Sequence, residues 1–259
     1  MQVVACQIEI AWEDKPANHD HIRTLLADAP IEPGALVVLP EMTTTGFSMN
    51  VDAIAEATDG PTHKFLAALA REHRAFVVGG VVTRADDGRG HNDAVVFSPD
   101  GKLLARYTKM HPFSFAGETK HYQAGADVAL FDWHDVRVAP LVCYDLRFPE
   151  VFRRAVRRGA ELLVVIANWP QPRDSHWRAL LPARAIENQA FLVGVNRAGK
   201  DPLVAYSGQS MILDPRGEPL ATAGQDEQVL VAEIDKASLV AYRAKFPALA
   251  DLRPDLLGQ

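Results

Sequence analysis

Three short, unbroken apolar runs constrain this chain most: ALVVL at 35–39, VAPLVC at 138–143 and ELLVVIA at 161–167. Runs of this length without polar alternation read as strands covered on both faces. Each stops abruptly at polar or reactive residues: Pro40-Glu41, Cys143, and Asn168-Trp169. Helical spacing lies before and between them, opened by Pro16, Pro61 and Pro149. Helical patterns flank both strand-rich halves. The expectation is therefore an α/β chain whose sheets pack on each other with helices outside, a layered sandwich.

The remaining elements fall into place around these runs. Residues 3–10 read as a first strand, followed by a helix carrying Ile22, Leu25 and Leu26. Strands at 75–82, 91–97 and 102–107 are joined by the turns Asp86-Asp87-Gly88 and Pro99-Asp100-Gly101, which makes an antiparallel run. Residues 110–126 form a long loop, the kind that binds ligands. Strands follow at 131–133 and 137–142. Asp174 or Ser175 is expected to cap a helix reaching about Gln189, and Pro182 inside it should kink or break it. Further strands are expected at 191–195, 206–213 and 228–234, with a turn at Asp214-Pro215-Arg216-Gly217 and a last helix capped by Asp235. No repeat or linker interrupts the pattern. One domain over residues 1–259 is expected, with a C-terminal tail from about 245.

Composition excludes several partners. The 259 residues carry a net charge of −6, which disfavours nucleic acid and anionic membrane. The one dense basic run, Arg153, Arg154, Arg157 and Arg158, has the spacing of a solvated helix face. The two cysteines, Cys6 and Cys143, form no Cys-x-x-Cys pair, so neither a disulfide framework nor a metal site is expected. The nine histidines show no ligand spacing, and no metal or cofactor is assigned. The first fifteen residues lack a basic segment and a long apolar core. No run approaches the ~18 apolar residues of a membrane span, and a cytoplasmic location is expected.

Cys143 is the first candidate for chemistry. A strand fixes its Cα, and backbone N–H groups of the following turn can face a substrate oxygen. A small buried hydrophobe is the alternative reading. Glu41 and Lys109 also sit at strand ends, where solvated charges are common. Ligands of open α/β sheets lie outside the carboxyl ends of strands, so Glu41, Cys143 and Asn168-Trp169 could share one pocket.

The segments LPEMTTTGF around Glu41, YTKMHPF around Lys109 and LVCYDLRFPE around Cys143 resemble, in this order, those that carry the Glu–Lys–Cys triad of the nitrilase, or carbon–nitrogen hydrolase, superfamily. The resemblance runs from VACQIE near the start to the DPRGE turn. It implies a four-layer α-β-β-α sandwich and a hydrolase of carbon–nitrogen bonds. It also implies roles: Cys143 as nucleophile, Glu41 as general base and acid, and Lys109 with the Tyr144 backbone N–H as oxyanion donors. Glu118 matches a second glutamate that orients the lysine and the substrate. NWPQPRDSHW, ARAIENQ and HYQAG are similar to the omega-amidase branch. That branch hydrolyses small ω-amides such as 2-oxoglutaramate and 2-oxosuccinamate to the acid and ammonia through a cysteine thioester. The resemblance further implies a homodimer formed through helices near the cysteine.

Such a substrate has a distal carboxylate, which a guanidinium reads better than an ammonium. Arg173 is the candidate for that contact. Phe47, Phe115 and Trp169 are candidate pocket walls, with core packing as the alternative. Arg147 and Arg184 read as structural, Arg184 pairing with Glu187 one helical turn on. Competing readings keep the triad but change the substrate to a carbamoyl compound, a nitrile or a deaminated glutathione. Others make the chain a non-catalytic interaction protein on the same scaffold, or make Cys143 a redox thiol resolved by Cys6.

Overall fold

The computed structural model describes residues 1–253. The expected C-terminal tail lies partly outside the described residues. The first sheet takes Gln2–Gln7 (β1), Leu36–Val38 (β2), Phe76–Arg84 (β3), Gly90–Phe97 (β4), Leu103–Thr108 (β5) and Tyr122–Gln123 (β6). The second takes Phe131–Trp133 (β7), Val136–Val142 (β8), Leu162–Ala167 (β9) and Phe191–Asn196 (β10). A ribbon, Ala198–Lys200 (β11) with Ala205–Ser207 (β12), precedes Met211–Leu213 (β13) and Pro219–Thr222 (β14), which complete the second sheet. Gln228–Glu233 (β15) returns to the first sheet beside β1. The helices are Lys15–Ala27 (α1), Val51–Ile54 (α2), Pro61–His73 (α3), Glu118–His121 (α4), Pro149–Arg157 (α5), Asp174–Asn188 (α6) and Lys236–Lys245 (α7).

The strand orders are β15-β1-β2-β3-β4-β5 and β14-β13-β10-β9-β8-β7. The cores of both sheets, β1-β2-β3 and β8-β9-β10, are parallel, as the continuous apolar runs predict. Alternation along β1 shows the layering. Val3 and Ala5 face the second sheet, while Val4 and Cys6 face α1 and α3. β2 divides in the same way, Leu36 and Val38 inward, Val37 outward. Helices α5 and α6 cover the far side of the second sheet. This is the four-layer α-β-β-α sandwich. Burial of each such side chain contributes about 1.5–3 kcal/mol, so register is held firmly and the strand ends are fixed in space.

Several boundaries differ from expectation. Residues 206–213 form two strands, not one. Gly208 and Gln209 both take left-handed φ values of 61° and 60°, which swings the chain from the ribbon into the second sheet. The Gln7 side chain fills the corner and accepts from the Ser210 N–H at 3.0 Å. Neither Asp174 nor Ser175 caps α6. Arg173 precedes it, and Asp174 lies in the first turn, paired with Arg178 at 3.0 Å. Helix α6 also runs unbroken through Pro182. The carbonyl that loses its donor belongs to Arg178, on an exposed turn where water can substitute. The long loop after Lys109 contains a 3₁₀ turn at Ser114–Ala116 and the short α4. Among the described residues no helix is long and apolar enough to cross a membrane.

Gly80 on β3 is required by close approach. A Cβ there would lie 2.2 Å from the Met42 nitrogen and 2.6 Å from the Glu41 Cα. Gly80→Ala is therefore expected to destabilise the fold by about 1–3 kcal/mol or more, and to push Glu41 out of place. Urea unfolding would read the first effect and amide turnover the second. A variant as stable and active as wild type would contradict this packing.

Candidate active site

Glu41, Lys109, Cys143 and Asn168 each follow the carboxyl end of a strand, β2, β5, β8 and β9 respectively. The two sheets face each other, so these four ends meet. The chain turns sharply at two of them. Met42, just after Glu41, has φ 43°, and Cys143 has φ 45°. A left-handed non-glycine residue is costly, and the packed sheets hold it in place. Cys143 opens a 3₁₀ turn, Cys143–Arg147. At the start of such a turn the Tyr144 N–H has no intrahelical acceptor, as an oxyanion donor requires.

The charged cluster is almost entirely dry. Glu41 and Glu118 are 0% exposed, Lys109 1% and Cys143 7%. Lys109 Nζ lies 2.9 Å from Glu41 Oε1 and 2.9 Å from Glu118 Oε2. Asn92 Nδ2 donates to Glu41 Oε1 at 2.7 Å and to Glu118 Oε1 at 2.9 Å, bridging the two carboxylates. Glu41 Oε2 accepts from the Asn168 backbone N–H at 2.7 Å. Asn168 Nδ2 also donates to the Glu41 carbonyl at 2.7 Å. Phe113 N–H donates to Glu118, which ties the long loop into the cluster. Glu41 is thus fixed in orientation from two sheets at once.

Protonation follows from the charges. Burial alone would push Lys109 towards neutrality, but the Glu118 and Glu41 charges outweigh it and hold the ammonium well above the usual lysine range. Burial pushes the Cys143 thiol well up, and the Glu41 charge adds to this. Lys109 pulls the other way without winning. Burial and the Glu41 charge therefore favour the thiol over the thiolate in the resting site. Lys109 alone does not ionise it; a base must take the proton during attack. Cys6 lies on the opposite face of the first sheet, its thiol pushed up to about 12 by burial. It cannot resolve an oxidised Cys143.

A pocket of about 180 Å³ opens above Cys143. Phe47, Phe115, Trp169 and Arg173 line it, and so do Phe113 and Arg147. Trp169 is buried, whereas Phe115 is 81% exposed and forms part of the rim. The Lys109 ammonium lies 5.2 Å from the Phe47 ring centre. Arg184 holds structure, as expected. It pairs with Glu187 at 3.0 Å and donates twice to the Leu146 carbonyl, anchoring the turn after Cys143 to α6. Arg147, read as structural from the sequence, also lines the pocket. Its guanidinium packs 4.7 Å from the Trp169 ring centre on the pocket wall. Arg173 packs 5.2 Å from Phe115 and 5.4 Å from Phe113. Burial, and then the positive charge of Arg173, lower the pKa of Arg147. Two guanidiniums against one lining carboxylate, Asp201, leave an excess of positive charge that favours an incoming anion.

Comparison with known proteins agrees with this geometry. Residues 2–244 match the carbon–nitrogen hydrolase family. The chain is 39% identical over 253 residues to omega-amidase YafV of Escherichia coli K12, covering 97% of this chain and 96% of that one. It is 33% identical over 255 residues to 2-oxoglutaramate amidase of Bacillus subtilis, covering 98% of each. A solved CN-hydrolase superfamily protein of Xanthomonas campestris, with an arsenic adduct in its active site, superposes with a TM-score of 0.92 at 38% identity, covering 100% and 99% of the two chains. The chain belongs to the carbon–nitrogen hydrolase family, on a nitrilase-superfamily fold, and is a hydrolase acting on amides.

Proposed function

We propose that this protein hydrolyses the ω-amide of a short 2-oxo dicarboxylate, such as 2-oxoglutaramate or 2-oxosuccinamate, to the acid and ammonia. The observation that carries this reading is one pocket lined by Lys109 and Cys143, with Glu41 buried against Lys109 behind them, and by two guanidiniums, Arg147 and Arg173. Similarity to two enzymes named for ω-amide hydrolysis supports the same substrate class.

The chemistry divides a slow reaction into two faster ones. Cys143 Sγ attacks the amide carbon as Glu41 takes the thiol proton. Lys109 Nζ and the Tyr144 N–H stabilise the resulting oxyanion, a donor pair of the kind whose members are each worth about 10²–10³ in rate. Glu41 returns the proton to the nitrogen, ammonia leaves, and a thioester remains. Water then attacks the thioester as Glu41 takes its proton. Collapse of the second tetrahedral species releases the acid, and the sulfur regains its proton from Glu41. Glu118 and Asn92 hold the lysine and the acid in register. Phe47, Phe115 and Trp169 wall the substrate chain.

An ammonia-release panel tests the substrate class. 2-Oxoglutaramate and 2-oxosuccinamate should outpace glutamine, N-carbamoyl compounds, nitriles and deaminated glutathione. Ammonia from one of the latter but not from 2-oxoglutaramate would sink the proposal. Arg173→Met and Arg147→Met should each raise KM for 2-oxoglutaramate about 10- to 100-fold, the worth of one charge-assisted contact. Hydrolysis of an uncharged short amide should change little. Equal losses on both substrates would rule out carboxylate reading.

We also propose a homodimer through the face near α5 and α6, where Ile186 is half exposed. Sedimentation at micromolar concentration would read a monomer if this is wrong. Two unpaired cysteines fit a cytoplasmic setting.

A further inference from the structure

Asp145, two residues after Cys143, is 0% exposed and does not line the pocket. Its bonds reach well beyond its own turn. Oδ2 accepts from the Val142 N–H at 3.1 Å, which closes the 3₁₀ turn locally. The same oxygen accepts from the Tyr107 hydroxyl at 2.8 Å. Oδ1 accepts from the His111 N–H at 3.1 Å and from His111 Nδ1 at 2.8 Å. Tyr107 and His111 flank Lys109 by two residues on either side. Three of the four bonds therefore leave the nucleophile's segment and grip the lysine's segment, which continues a strand of the other sheet. A residue needed only to cap its own turn would make just the first bond. The His111 ring also stacks on Phe148 at 3.9 Å, at the end of the same turn, which closes the link from both sides.

We propose that Asp145 is a positioning residue that staples the Lys109 segment to the Cys143 turn, and so sets the distance between the oxyanion-binding ammonium and the nucleophile. The inference rests on the amidase reading above. A carboxylate suits the task because it only accepts, and four donors surround it. Asparagine cannot replace it. Whichever way its amide turns, the NH₂ faces either the Val142 or the His111 backbone N–H, and neither can reverse its role. The lysine would then drift relative to the sulfur. An error of about 1 Å in such geometry costs on the order of 100-fold in rate.

The test compares wild type with Asp145→Asn, Tyr107→Phe and the double variant, each assayed for kcat and KM on 2-oxoglutaramate. Each kcat is normalised to the number of Cys143 thiols alkylated by iodoacetamide, counted by mass. Asp145→Asn should lower kcat per alkylatable thiol about 100-fold, with KM within about threefold of wild type. Tyr107→Phe removes one bond and keeps the fold; it should lower kcat about tenfold, as the loss of one charge-assisted hydrogen bond does. The double variant should be no slower than Asp145→Asn alone, since both cut the same link. Unchanged kcat per alkylatable thiol in Tyr107→Phe, or a loss that follows only the folded fraction, would overturn the staple. Wild type inactive on every amide of the panel would overturn the amidase reading and the staple with it. Active wild type with unaffected variants would overturn the staple alone.

Discussion

Cys143→Ala and Glu41→Gln are each expected to lower ammonia release by roughly 10⁴–10⁶-fold, and the double variant should be no slower than the worse single one. Groups that hand one proton between them act as a unit. Without the sulfur there is no thioester, and without the carboxylate no group carries a proton to the leaving nitrogen or takes one from the attacking water. The two variants should nevertheless differ in one respect. Burial and the Glu41 charge both push the Cys143 thiol up. Glu41→Gln removes that charge and leaves Lys109 less opposed. The thiolate fraction at neutral pH should therefore rise, so iodoacetamide should alkylate Cys143 at least as fast as in wild type while turnover collapses. Wild-type alkylation without substrate should keep climbing with pH through the neutral range, because the thiol titrates above it. Glu41→Gln retaining more than a few per cent of turnover would remove Glu41 from its role, given the usual scale of such losses.

Lys109→Met should be nearly as damaging, for two separable reasons. The first is chemical. It removes a cation aimed at the oxyanion, about 10²–10³ in kcat. The second concerns the fold. Lys109 is the cation between two buried carboxylates, 2.9 Å from each. Removing one member of a buried charge cluster typically costs about 3–5 kcal/mol, because the remaining charges are left uncompensated. Lys109→Met should therefore lower the unfolding midpoint visibly. Adding Glu118→Gln should restore much of the stability by rebalancing charge, yet should restore no activity. Urea unfolding and ammonia release on the two variants would check this. Recovered turnover in the double variant would show that Lys109 serves only charge balance.

The corners of the site are legible in the chain. Unbroken apolar runs fix the ends of β2, β8 and β9, and the reactive residues begin where apolar character stops. The position of Lys109 is readable for a different reason, since two tight turns mark off the three antiparallel strands before it. The partners of these groups were not. Asn92 sits inside a strand that reads as ordinary, and its bonds to Glu41 and Glu118 arise only when β4 is set beside the long loop. The bonds of Asp145 to Tyr107 and His111 depend on how two sheets stack, which spacing within one segment does not encode. Arg147 reads as structural because nothing in its own segment ties it to the pocket. The 3₁₀ turn after Cys143 instead places it on the pocket wall. The break at Gly208-Gln209 was hidden because both flanks are apolar enough to read as one strand.

The central claim is that a carboxylate, an ammonium and a sulfur at the meeting point of two sheets split an amide through a covalent acyl group on Cys143. Rapid acid quenching during 2-oxoglutaramate turnover, followed by peptide mass analysis, tests it most directly. The acyl mass is expected on the peptide carrying Cys143, formed and lost at rates that match ammonia release and acid formation. Steady turnover with Cys143 unmodified at every quench time, or with the acyl group on another residue, would contradict it.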